Sequence, residues 1–177
     1  MSVVAISAEP SGLHSGRNRF LVRPHPVHER LKHIVMEGDA VAAFLAAVAD
    51  IDVQNLEYVP FMRFMLAERL AEQIGPDLPQ TLRNLATDRQ SGGFTLGVGG
   101  ITSDPDDFVR FGTAVGHLLG PTNHDSMSGT FYARFQVKDT DASDSYLRQA
   151  YRLFTLHTDG TFVEEATDCR CPLISGQ

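Results

Sequence analysis

The chain has 177 residues, 42% of them hydrophobic, enough for one domain with its own core. Its formal net charge of −7, from 15 basic and 22 acidic residues, disfavours nucleic acid or an anionic membrane surface as a partner. No apolar run nears the ~20 residues that span a bilayer, the start lacks a secretory signal's basic region, and two cysteines at the C-terminal end make neither a disulfide framework nor a zinc finger, so a reducing cytoplasm is the expected setting.

Residues 1–18 are rich in Ser, Gly and Ala without an apolar period and read as a mobile arm. Pro24 and Pro26 cannot donate to a ladder and so limit any strand before them. Arg30–Met36 reads as a short strand. The first helix is expected over Ala40–Ala49, with Asp39 as its N-cap and Val41, Phe44, Leu45 and Val48 as one apolar stripe. A second helix follows Pro60, a good first-turn residue, and runs to Ile74, where GPDLP (75–79) stops it. A short third helix fits Gln80–Asp88, and a short strand lies within GGFTLGVGG (92–100). The best-marked helix comes next. Asp104 caps it, Pro105 opens it, and Asp106 and Asp107 suit its positive end. Phe108, Phe111, Val115, Leu118 and Leu119 supply its buried stripe, and Gly120 and Pro121 end it. His117 falls near that end, as a partly buried histidine beside the favourable C-terminal dipole.

Beyond this helix the period changes to two. TFYARFQV (130–137) and AYRLFTLH (150–157) alternate, and TFVEEAT (161–167) is a candidate third strand. Helices first and strands last is the order of an α+β protein, its helices packed around the beginning of an antiparallel sheet.

The chemistry centres on His157 and Asp159. On a strand, residues i and i+2 share a face, so this imidazole and carboxylate can chelate one cation. With a distant second histidine they would make the facial triad of non-haem Fe(II) oxygenases, which leaves three positions for co-substrate, water and dioxygen. Gly160 lets the chain turn away sharply. The spacing alone is weak: with 7 His and 14 Asp, His-x-Asp is expected about half a time by chance, and by spacing alone a surface turn with local hydrogen bonds is the better reading. The context, an alternating apolar strand running into a glycine turn, favours the metal.

The block MSGTFYARFQVKDTDASDSYLRQAYRLFTLHTDGTFVEEATD (Met127–Asp168) closely resembles the CsiD family, the glutarate 2-hydroxylases. Thr113–Gly129 and, more loosely, Asn55–Phe64 resemble it too. The resemblance implies an Fe(II)- and 2-oxoglutarate-dependent dioxygenase with a distorted jelly-roll (double-stranded β-helix) core over residues 19–168, incomplete at the C-terminus. Such enzymes convert glutarate to L-2-hydroxyglutarate while 2-oxoglutarate becomes succinate and carbon dioxide, serve lysine and 5-aminovalerate degradation, and assemble as homotetramers. It assigns two iron ligands, His157 and Asp159. The family's third, a histidine, lies far downstream, followed by an arginine that holds the distal carboxylate of 2-oxoglutarate; no histidine follows Asp159 in this sequence. The resemblance breaks at Cys169, and residues 169–177 read as an aberrant tail from a shifted frame or a truncated gene. A catalytically dead remnant or an oligomerisation module is the alternative expectation.

A dicarboxylate substrate needs cations, and arginine holds carboxylates in bidentate fashion. Arg134, Arg148 and Arg152 are in the block, and Tyr146 and Tyr132 offer hydroxyls; Arg134, Arg148 and Tyr146 are the substrate-binding candidates. Exposure on alternate strand positions and pairing with Asp139, Asp141 and Asp144 is the favoured reading of each arginine, and core packing suits Tyr132. At most one of Glu164 and Glu165 faces the metal, because neighbours on a strand point to opposite sides. His124 reads as loop surface, and His14, His25, His28 and His33 as exposed or in local contacts.

Overall fold

Alternation and proline placement together make the first hairpin. A computed structural model describes residues 18–91, 93–122 and 131. In it β1 (Phe20–Pro24) pairs antiparallel with β2 (Lys32–Met36), from Phe20 opposite Met36 to Pro24 opposite Lys32. Pro24 ends β1 as expected of a residue with no N–H to give. Four helices then intervene: α1 (Gly38–Ala47), α2 (Asn55–Tyr58), α3 (Pro60–Ile74) and α4 (Leu78–Thr87). After them β3 (Phe94–Val98) joins the other edge of β2 in parallel, with Lys32 opposite Phe94 and Met36 opposite Val98. Helix α5 (Pro105–Leu119) follows. The described residues are therefore mixed α+β, with one three-stranded sheet in the order β1-β2-β3. The antiparallel strands expected at 130–137, 150–157 and 161–167 lie outside the described residues, as do the tail 169–177 and all of the arm before Asn18. Asn18 itself donates to Asp77 at 2.7 Å.

Two helices have the bounds that their signals dictate. Pro60 opens α3, and the Asp104 carboxylate accepts the N–H of Asp106 at 2.9 Å at the start of α5. Two others begin earlier than expected. The N-cap of α1 is Glu37, without a side-chain cap bond; Asp39 sits inside the first turn, where its carboxylate pairs with Arg19 and so serves the tertiary contact. Helix α4 begins at Leu78 and absorbs Pro79 in its first turn, where a missing N–H costs nothing. The short α2 carries no periodic stripe and was not foreseen.

The core lies between the helices and one face of the sheet. Ile34 and Met36 of β2 meet Val41, Phe44 and Leu45 of α1, Leu66, Leu70 and Ile74 of α3, Leu78 and Leu82 of α4, and Phe111, Ala114, Val115 and Leu118 of α5, all buried. The Phe44 and Phe111 rings meet edge to face, centroids 6.4 Å apart, the favoured aromatic geometry. Arg110 ties α5 to the end of α1: its Nε donates to the Ile51 carbonyl at 2.9 Å, and a second nitrogen to Asp107 at 3.0 Å.

Where β3 passes the start of α1, two backbones touch directly. Gly100 has φ +82°, and a Cβ there would lie 2.1 Å from the Gly38 carbonyl oxygen. Both the conformation and the space demand glycine. Gly100→Ala should therefore cost at least about 2 kcal/mol of stability, read as a lower midpoint in urea unfolding. Gly120→Ala, where nothing lies within 4 Å of the added carbon, should stay within about 0.5 kcal/mol of the parent.

Candidate functional site

The residues proposed from the sequence, His157 and Asp159 for metal and Arg134, Arg148 and Tyr146 for substrate, lie outside the described residues, as do His14, His124, Tyr132, Arg152, Glu164 and Glu165. Within the described residues, chemistry-bearing side chains gather in two places.

The first is the β1–β2 hairpin. The His25 ring stacks on His28 at 5.2 Å and meets the edge of His33 at 5.9 Å. His25 Nδ1 accepts the backbone N–H groups of Val27 and His28, at 3.2 and 3.1 Å. His33 Nδ1 bonds to Thr95 Oγ1 of β3 at 2.7 Å. Burial lowers the His33 pKa from its ordinary value, and His25 and Arg23 lower it further. These are the local contacts expected of the hairpin histidines, with one cross-sheet bond added. Among the described residues no group of three or more His, Cys, Asp or Glu is placed to hold a metal ion.

The second place is the seam where α2 and the first turn of α3 face the end of α5. Arg63 lies on the buried stripe of α3 with Leu66, Ala67 and Leu70, and only 6% of it is exposed. A guanidinium survives there because the last carbonyls of a helix lack intrahelical partners. Arg63 donates to the Leu56 carbonyl of α2 at 2.6 Å, with the Glu57 carbonyl further off at 3.5 Å. Its other face lies over the Phe131 ring, Cζ 3.7 Å from the centroid, a cation–π contact. Glu57 takes hold of the same residue through its backbone: Glu57 Oε2 accepts the Phe131 N–H at 3.2 Å.

His117 completes the seam from α5. Its ring meets Phe64 edge to face at 5.3 Å. Burial lowers its pKa first, and the charge of Arg63 lowers it further. The Thr113 carbonyl one turn back pulls weakly the other way, yet Nδ1 makes no hydrogen bond. The expected burial of this histidine holds, while the expected benefit of the helix dipole to a charged ring is outweighed by desolvation. Thr122 folds back onto α5, its Cγ2 3.3 Å from where a Gly116 Cβ would sit. The buried side-chain atoms without a hydrogen-bond partner among the described residues are Glu57 Oε1, Arg63 Nε, His117 Nδ1 and Thr122 Oγ1, and all belong to this seam. Buried polar atoms are nearly always paired, so the described fold is least satisfied here. Sequence reasoning missed Arg63 and Glu57; the available signal was an arginine on an otherwise apolar helix stripe.

A family model described as CsiD matches residues 20–171. The chain is 42% identical over 168 residues to a glutarate 2-hydroxylase of Pseudomonas putida strain GB-1, a match that covers 94% of this chain and 50% of that protein. It is 39% identical over 169 residues to a glutarate 2-hydroxylase of Klebsiella pneumoniae strain 342, covering 94% and 52%. A protein of that name from Salmonella typhimurium strain SL1344 is 38% identical over the same shares. The chain spans about half the length of the curated relatives it matches.

The His117 ring should titrate below the ordinary value near 6.5, followed by proton NMR. Arg63→Met should move it part of the way back, because burial, the larger cause, remains. A depressed histidine pKa means that the unfolded chain binds the proton first. The stability held in the neutral ring is therefore complete above about pH 6.5 and is lost as pH falls toward the folded pKa. Titration of His117 above 6.5 would contradict this account of the seam.

Proposed function

This chain belongs to the CsiD family, and we propose on that premise that it carries the His-x-Asp metal ligands and the helical layer of an Fe(II)- and 2-oxoglutarate-dependent glutarate 2-hydroxylase. The observation that carries the reading is the match over residues 20–171, together with relatives of that name at 38–42% identity across 94% of the chain. The proposal includes the distorted jelly-roll core and the homotetramer implied by the resemblance, and the cytoplasmic setting expected from the cysteine usage. Among the described residues no helix is long and apolar enough to cross a membrane.

The donor set suits the metal. His157 supplies an imidazole and Asp159 a carboxylate two residues apart, a spacing that would share one face of a strand, with the third ligand assigned to a histidine further along the family's chain. When bound, iron supplies the dioxygen chemistry that replaces one C2–H of glutarate by hydroxyl, while 2-oxoglutarate is oxidised to succinate and carbon dioxide. The remaining roles are binding and orientation. Arg134 and Arg148 can each grip a carboxylate through two parallel N–H bonds, and Tyr146 adds a hydroxyl donor. Arg63 and Glu57 contribute from a distance, since they hold Phe131 at the beginning of the block that contains these residues.

Fusion of residues 1–168 to the second half of one of the relatives should give glutarate-dependent formation of succinate and L-2-hydroxyglutarate in equal amounts, with Fe(II) and oxygen present. His157→Ala or Asp159→Ala should each lower that rate by more than the roughly 10–100-fold typical of losing a ligand's hydrogen-bond partner. A fusion that binds Fe(II) but leaves glutarate unchanged would refute the substrate, and one indifferent to both substitutions would refute the site.

A further inference from the structure

The turn between β1 and β2 is closed by a side chain. Pro24 and Pro26 flank His25 and have no N–H to give. The His25 N–H donates to the Leu31 carbonyl and the Leu31 N–H to the His28 carbonyl, both at 3.0 Å. The N–H groups of Val27 and His28 meet no backbone carbonyl. Their acceptor is Nδ1 of His25, at 3.2 and 3.1 Å. An Asn or Asp oxygen plays this part in an Asx turn. Here it falls to an imidazole, the side chain whose ordinary titration range lies nearest neutral pH.

A ring nitrogen accepts only while it carries no proton. The two bonds therefore require a neutral His25 ring with its hydrogen on Nε2, and a proton on Nδ1 excludes both. The groups around the ring sharpen the conflict. From the turn, His28 stacks on it, and from β2, His33 meets it edge to face. Arg23 of β1 lies opposite His33 in the register. His33 is fixed on its other side, with Nδ1 bonded to Thr95 of β3 and Nε2 over Gly97, 2.8 Å from where a Cβ would sit. Residues 23–33 also hold Arg30 and Lys32 against one acid, Glu29. Among the described residues no carboxylate forms an ion pair with any of these cations or rings.

We propose that His25 is a proton-operated clasp of the β1–β2 turn, closed while Nδ1 is bare and released when that nitrogen takes a proton. The sign follows from the bonds. The closed turn disfavours the proton, so the clasp stabilises the hairpin at high pH and stops doing so as pH falls through the imidazole range. Release frees the Val27 and His28 amides, and with them the ring that packs on His33, which joins β2 to β3. The lowered pKa of His33, from burial first and then from His25 and Arg23, agrees with a cluster that resists further positive charge. The clasp goes beyond the proposed chemistry and rests on none of it.

NMR of the full 177-residue chain tests it. At about pH 8 the ring nitrogen shifts should show His25 with its hydrogen on Nε2 and a bare Nδ1. Amide protection is the exchange rate of an unstructured peptide divided by the measured rate at the same pH. For Val27 and His28 it should fall about tenfold between about pH 8 and pH 5, the scale of two lost hydrogen bonds. His25→Asn places an oxygen on the same side-chain carbon that carries Nδ1 and has nothing to titrate, so both amides should stay protected across the range. His25→Gln carries its oxygen one bond further out and should leave them open at both ends. A His25 ring with its hydrogen on Nδ1 at high pH, unchanged protection in the parent chain, or the same loss in His25→Asn would each overturn the clasp, the last by assigning the transition to another group. None of these measurements reads hydroxylation, so failure here leaves the proposed activity to its own test.

Discussion

A guanidinium placed on a helix stripe that is otherwise apolar needs partners to offset its burial. Arg63 is that group. An uncompensated buried charge costs several kcal/mol, and the fold around Arg63 offsets the cost with the free carbonyl of Leu56 below it and the Phe131 ring above. The short helix α2 is held at the N-terminal end of α3 by this contact, and with it Glu57, whose carboxylate receives the Phe131 N–H. One buried cation thus links the helical layer to the chain that leads on to His157 and Asp159.

The rest of the described fold keeps that linkage in place. Helix α3 packs between α1 and α5 through Leu66, Leu70 and Ile74, and the Phe44–Phe111 contact locks α1 to α5. Arg110 reaches the Ile51 carbonyl beyond α1, and Arg83 reaches the Leu118 carbonyl at the end of α5, at 3.1 Å. Arginines on three helices thus satisfy carbonyls of another segment; Arg63 and Arg83 do so with carbonyls that helix ends leave unpaired, and Arg110 with one in the turn after α1. The parallel pairing of β2 with β3 follows from the same layer, because parallel neighbours require a long crossover, and α1 to α4 provide it.

The electrostatics of the seam favour a fixed charge pattern. Burial, and after it the charge of Arg63, lower the pKa of His117 from its ordinary value and so favour the neutral ring over a second cation in the seam. The hairpin histidines follow the same rule in miniature, with His33 desolvated, and opposed by His25 and Arg23.

The sequence by itself determined the elements whose signals are local. Pro60, Asp104 with Pro105, and the glycines after Ile74 and Leu119 set α3 and α5, because caps and breakers act within a few residues. The apolar stripes of α1 and α5 were legible for the same reason, and so was the family, since the block Met127–Asp168 is long and specific. Tertiary structure decided what depends on distant partners. Asp39 left its capping role for Arg19, α2 formed without a stripe of its own, and β3 chose a parallel neighbour across four helices. Arg63 and Glu57 had no motif to announce them; they matter through Phe131, 68 and 74 residues away in sequence. His117 was visible as a helix-end histidine, but the lowering of its pKa comes from burial and from a charge on another helix. Local backbone chemistry can be read along a chain, whereas pairing, desolvation and the field at a side chain are properties of what the fold brings beside it.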